Sequence, residues 1–181
     1  MTLLKKERIV SHVAIVVFAF GQPSTTVPNT YLAELAKEIS LEEDNAPIYT
    51  QRDIVIPERG PIRVYYFPKE ELWNPPPTLR IARWFAKYSL EDTQRVIIVA
   101  AEPHFRRVCR DMEYVIREEM GMQVGMLGVK LEFPGVLLEQ GNHAWFCSES
   151  TQKRTTSWWR WWLRELPLRL LPLWLYVRVA S

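Results

Sequence analysis

Apolar residues along the chain fall into two kinds of stretch that alternate. Residues 13–20, VAIVVFAF, and 96–101, VIIVAA, are short unbroken runs rich in β-branched side chains. Runs of this length and composition predict strands buried on both faces. Between and after them, apolar residues recur every three or four positions. Leu32, Leu35, Ala36 and Ile39 predict a helix over residues 30–39, with Glu34, Lys37 and Glu38 on its other side. Leu79, Ala82, Trp84, Phe85 and Ala86 predict a second over 78–88, after the stiff connector Asn74-Pro75-Pro76-Pro77. Phe105, Val108, Cys109, Met112, Val115, Ile116 and Met120 predict a third, stopped at Gly121. Shorter β-rich stretches at 47–50, 62–67 and 123–127 predict further strands. Residues 130–144 hold two glycines and a proline and read as loop. Ser148 or Ser150 then caps a last helix running to Leu166, with Pro167 and Pro172 breaking the tail beyond it.

Strands alternating with three-turn helices are βαβ units. The predicted fold is therefore α/β: a Rossmann-like three-layer sandwich with a mainly parallel sheet and a Trp-rich C-terminal helix. Residues 1–181 make a single domain in this reading, with 148–181 docked on it. The length and a hydrophobic content of 48% suffice for one well-buried core.

Charge narrows the partners. The formal net charge is only +2, so no global field recommends nucleic acid. Cys109 and Cys147 form no C-x-x-C pair and suggest no disulfide framework. Lysines precede the first apolar run, but Glu7, Arg8 and His12 interrupt the approach and no small-residue cleavage site follows Phe20. A strand is expected there, and a cytoplasmic protein.

The candidate chemistry lies at strand ends, where open α/β sheets bind ligands. Three such ends are polar: Gly21 and Gln22 with Ser24, Thr25 and Thr26; Gln51-Arg52-Asp53; and Glu102 with His104, Arg106 and Arg107. The third is unusual. His104, Arg106, Arg107 and Arg110 crowd a helix start, where the macrodipole is already positive. An anion, or a carboxylate from elsewhere in the chain, relieves that cost. One reading is thus an anionic ligand held by backbone N–H groups and arginines. The other is arginines that are solvated or paired with Glu102, Asp111 and Glu113. His104 is the acid/base candidate, its neutral form favoured by the surrounding positive charge. Cys109 sits on the apolar stripe and reads as core.

Several motifs are excluded. Ser150-x-x-Lys153 has the serine–lysine spacing of penicillin-recognising enzymes, but S-D-N and K-T-G are absent. His143-x-x-x-Cys147 lacks two further ligands, so no metal is expected. Neither G-x-G-x-x-G nor G-K-S/T occurs.

Residues 157–164, SWWRWWLR, concentrate Trp158, Trp159, Trp161 and Trp162 beside Arg160 and Arg164. This is the composition of an interfacial membrane helix, and equally of a last helix packing its indoles on the sheet. Arg164, Glu165, Arg169, Arg178 and two prolines rule out a transmembrane span over 163–180.

The order of these features resembles the YdcF/SanA/ElyC-like family, bacterial proteins catalogued as a domain of unknown function. Gly21-Gln22 matches the glycine-containing end of that family's first strand, and Pro103-His104-Phe105-Arg106-Arg107 matches its y-H-x-x-R-A motif. The similarity spans roughly residues 9–127. It departs at Thr50-Gln51-Arg52, where the family has Ser-Gly-Gly, and at Asn74 and Thr78, which three prolines separate. The N-terminal membrane anchor of SanA-like members is not matched. The resemblance implies a Rossmann-like fold with a small-molecule site at these strand ends. It also implies S-adenosylmethionine as a cofactor of some members, and a connection of others to envelope or surface-polysaccharide metabolism.

The sequence therefore predicts a protein binding an anionic or nucleotide-like metabolite, such as S-adenosylmethionine or a phosphorylated envelope intermediate. Its candidate site is Gly21, Gln22, Ser24, Thr25, Arg52, Glu102, Arg106 and Arg107, with His104 as acid/base if it is an enzyme. A transferase or hydrolase is then the expected class. The competing expectation is a non-catalytic module, peripheral to a membrane or bound to a protein through Trp158, Trp159, Trp161 and Trp162.

Overall fold

The structure is a computed structural model and describes residues 13–57, 60–68, 78–89, 93–119, 130–132, 145–146 and 148–180. Its elements in chain order are β1 (Val13–Phe18), α1 (Val27–Glu42), β2 (Ile48–Thr50), β3 (Val64–Tyr66), α2 (Thr78–Ser89), β4 (Arg95–Ala100) and α3 (Glu102–Tyr114). A π-helical turn, Val115–Glu119, continues α3. Then come β5 (Lys130–Glu132), α4 (Trp158–Leu170) and α5 (Leu173–Ala180).

All five strands are parallel, in the order β3-β2-β1-β4-β5. The two long apolar runs of the sequence lie at the centre, paired from Val13–Arg95 to Phe18–Ala100. Successive side chains point to opposite faces, which divides the core in two. Ala14, Val16, Phe18, Val96, Ile98 and Ala100 pack against α2 and α3. Ile15, Val17, Ile97 and Val99 pack against α1. The result is the Rossmann-like α/β architecture that the alternating periodicity predicts.

Three expectations are corrected. Residues 130–132 form strand β5, not loop. The strand is three residues long and carries Lys130 and Glu132, so it has no apolar run to announce it; its place comes from backbone pairing with β4. The last helix starts at Trp158 behind Ser157, not at Ser148 or Ser150, and it passes through Pro167 to Leu170. Pro167 removes one backbone donor, but it and Leu163, whose carbonyl loses that partner, both lie on the exposed side. Pro172 does separate two helices, since α4 ends at Leu170 and α5 starts at Leu173, so the tail beyond it is helical. The predicted strand at 123–127, the stop at Gly121, the connector at 74–77 and the approach at 1–12 lie outside the described residues.

Candidate functional site

The chain leaves β1 toward β2 and β3 on one side, then returns to place β4 and β5 on the other. Its direction of progress therefore reverses between β1 and β4, and the crevice beyond their carboxyl ends is the expected ligand position in an open α/β sheet. Two polar turns meet there, Gly21-Gln22 after β1 and Ala101-Glu102-Pro103-His104 after β4.

The first turn is fixed from below. Asn29, fully buried in the first turn of α1, accepts a hydrogen bond from the Phe20 N–H at 2.9 Å. Its amide donates to the Gly21 and Pro23 carbonyls at 3.1 and 3.2 Å. Gly21 has φ +91°, a region that side chains disfavour. A Cβ here would also stand 2.9 Å from both Ser150 Oγ and Thr155 Oγ1. Glycine thus lets a later segment approach: Gln22 N–H donates to Ser150 Oγ at 3.2 Å, and Thr151 N–H donates to the Gln22 carbonyl at 2.8 Å. The Gln22 amide donates to Asp53 at 3.3 Å. Burial raises the Asp53 carboxyl above its usual range, against that hydrogen bond.

The second turn is closed by α4. His104 is buried, and its Nε2 lies 2.9 Å from Arg107 Nη2 and 3.0 Å from Thr78 Oγ1. A guanidinium can only donate, so Nε2 accepts and the ring proton sits on Nδ1. Burial, reinforced by the charges of Arg107 and Arg164, holds the imidazole well below the ordinary histidine range. Arg107 Nη1 donates in turn to Glu165 Oε2 at 3.1 Å, and Glu165 is fully buried. Trp161, 4% exposed, lies over the same place, its ring 5.0 Å from Phe20, 5.6 Å from His104 and 5.5 Å from the Arg107 guanidinium carbon. The excess positive charge at the start of α3 is thus met from within the chain, by Glu165 at Arg107 and by Asp111, whose carboxylate lies 3.9 Å from the Arg110 Nε.

A neighbouring cluster continues the contact. The Arg110 guanidinium lies 3.6 Å from the Tyr176 ring centroid, and the Tyr176 hydroxyl donates to Asp111 at 2.8 Å. Burial pushes Asp111 up to about 6, opposed by that hydrogen bond and by Arg107 and Arg110. Residues 148–176 accordingly cross the strand-end edge from the α1 side, where Trp161 packs, to the α2–α3 side, where Val177 packs.

The predicted residues divide into a covered and an open set. Gly21, His104 and Arg107 are buried beneath this cover, and Gln22 is half-buried at its margin. Ser24 is half-buried; Thr25, Arg52, Glu102 and Arg106 face solvent on the rim. Contacts join Gln22 to Asp53 and His104 to Arg107. Cys109 is half-buried, and burial together with Glu113 pushes its thiol up to about 12, far from a reactive thiolate. Of the four tryptophans, Trp161 docks on the body, Trp162 is half-buried, and Trp158 and Trp159 are exposed. Sequence reasoning placed Asp53 at a polar strand end but missed Asn29, Thr78 and Glu165 as members of the site. Asn29 carried a usable signal, a polar residue on the apolar face of α1. Glu165 carried a weaker one, a lone acid in a basic and apolar run.

Among the described residues no group of histidines, cysteines and carboxylates is arranged to hold a metal ion, and no helix is long and apolar enough to cross a membrane. No protein-family model, curated protein or solved structure matches the chain. The fold and the edge define a Rossmann-like α/β protein whose switch-point crevice is roofed by its own C-terminal segment.

Proposed function

We propose that this protein binds a small anionic metabolite on the open rim of the switch-point edge. The observation that carries the reading is the placement of two exposed arginines on either side of β1, Arg52 just past the end of β2 and Arg106 in the second turn of α3, the helix that follows β4. Adjacent strands lie about 4.8 Å apart, so these strand ends are roughly 10 Å apart, a span suited to a nucleotide or phosphosugar. Gln22, Ser24 and Thr25 follow β1, the strand between β2 and β4, and are uncharged hydrogen-bonding groups. Arginine forks at both ends suit phosphate or carboxylate.

The reading is one of binding, without an assigned catalytic group. His104 has its Nε2 engaged by Arg107 and Thr78 and is held neutral, which leaves it a positioning role for Arg107. The resemblance to the YdcF/SanA/ElyC-like family belongs to the same proposal and adds S-adenosylmethionine to the compounds worth testing. A thermal-shift panel of nucleoside phosphates, phosphosugars and S-adenosylmethionine is the direct test, since a ligand that binds only the native state raises the melting temperature by mass action. Arg52→Ala and Arg106→Ala, both at exposed positions, should leave the unliganded melting temperature within about 2 °C and abolish the response. A response undiminished in both variants would place the ligand elsewhere; silence across the panel would sink the reading.

A further inference from the structure

Helix α4 has two apolar faces, and the sheet uses only one. Trp161 and Glu165 lie against the body, four residues apart and both buried. Trp159, Leu163, Leu166 and Leu170 are 54%, 69%, 50% and 75% exposed. Their spacing of four, three and four residues draws a single stripe along the helix. At about 100° per residue, that stripe points roughly away from Trp161 and Glu165. Trp158 at the start of α4 and Trp174 in α5 extend the exposed apolar surface, at 44% and 70%. Isolated exposed leucines need no explanation, but a continuous stripe headed by one indole, with two more exposed indoles in α4 and α5, does.

The charges around it have one sign. Residues 151–181 contain Lys153, Arg154, Arg160, Arg164, Arg169 and Arg178 against one acid, Glu165. That acid is buried and bonded to Arg107. Lys153, Arg154, Arg160, Arg164 and Arg178 are exposed. Arg164, though exposed over much of its length, is lowered to about 10 by partial desolvation and by the neighbouring Arg107 and Arg154, which leaves it a cation at neutral pH. Seventeen basic and twenty acidic residues precede this segment, so the first 150 residues carry a net −3 while the segment carries +5. Positive charge is therefore concentrated on the same short stretch as the exposed tryptophans and leucines.

We propose that the outer face of α4 and the start of α5 dock on an anionic phospholipid surface, with the helix lying in the headgroup plane. Tryptophan and leucine enter the acyl boundary while arginines contact lipid phosphates, the arrangement of an interfacial amphipathic helix. The docked side keeps its contacts with Trp161 and Glu165, so the helix need not leave the body to bind. Thirteen residues at 1.5 Å rise span only about 20 Å, short of the roughly 30 Å hydrocarbon core. The helix lies on the bilayer and does not cross it. This surface is separate from the metabolite rim, and the inference does not depend on that reading.

The test is co-sedimentation of the full chain with vesicles of phosphatidylcholine alone and with about one-third phosphatidylserine or phosphatidylglycerol, whose anionic headgroups give the surface a negative potential. Binding should be at least tenfold stronger to the anionic vesicles and should fall steeply on raising salt from about 0.1 M to 0.5 M. Leu163→Glu with Leu170→Glu should abolish it, with an unchanged melting temperature because both side chains face solvent. Arg160→Glu, a second and independent variant, should weaken it several-fold. Equal binding to neutral vesicles, or anionic binding that survives the leucine substitutions, would overturn the proposal. So would self-association of the wild type, lost in the leucine variant, without any vesicle binding; the face would then belong to a second copy of the chain.

Discussion

Arg107 and Glu165 lie 58 residues apart and face each other at 3.1 Å with almost no solvent between them. Removing one member of a buried pair leaves the other desolvated and uncompensated, at a cost of about 3–5 kcal/mol. Glu165→Ala should therefore lower the unfolding free energy in urea by about 3 kcal/mol, and Glu165→Gln, which keeps a hydrogen-bond acceptor, by less. A neutral Glu165→Ala would mean that the carboxylate does not hold α4 in place. One half of this pair was legible in the sequence. A helix that begins with His104, Arg106 and Arg107 opposes its own dipole, so something negative was expected nearby. The identity of the partner was not legible, because Glu165 sits among tryptophans, leucines and arginines, and only the fold brings it back to α3. The same limit applies to Asn29, whose amide caps a turn that local periodicity does not describe.

At the scale of elements, periodicity found what is long and regular. The central strands β1 and β4 and helices α2 and α3 follow directly from their apolar patterns, with ends displaced by a few residues. It failed where three backbone hydrogen-bonding groups suffice, as in β5, and where a general rule met an exposed exception, as at Pro167. A helix-interior proline costs up to about 3 kcal/mol through its missing donor and its clash with the preceding turn. Because Pro167 is exposed, Pro167→Ala should stabilise the protein by about 1–3 kcal/mol, measured by urea unfolding. An unchanged or lower stability would show that the body of the protein requires the bend that proline imposes. The Trp-rich helix was legible as amphipathic, but not which tryptophan would dock. Trp161 takes the body one turn before Glu165, beside Phe20 and His104, while Trp162 is half-buried and Trp158, at the helix start, is exposed.

For the molecule as a whole, two buried groups titrate in opposite directions. Asp111 is raised from 3.8 to about 6, so its contribution to stability is complete below about 4 and is lost as pH rises through 6. His104 is lowered, so its contribution is present above 6.5 and is lost as pH falls below that value. Each is worth about 1.4 kcal/mol per pH unit in its window, and where the windows overlap the two slopes oppose each other. Asp111→Asn removes one side of that balance while preserving an acceptor for the Tyr176 hydroxyl. Relative to the wild type, the variant should lose about 3 kcal/mol between pH 6.5 and 4, read from urea midpoints at each pH; parallel pH profiles would refute the assignment. Sheet order, too, was beyond sequence reach, since periodicity gives strands but not neighbours, and the order β3-β2-β1-β4-β5 is what turns two separate polar turns into one edge. The roof over that edge is made of residues far along the chain, with Ser150 meeting Gln22 across 128 positions. A ribosome adding roughly 5–20 residues per second completes β4 several seconds before Glu165 exists. Until then neither Arg107 nor His104 has its roof, and in the finished chain both are buried, so a molecule supplied to the complete protein meets only the rim.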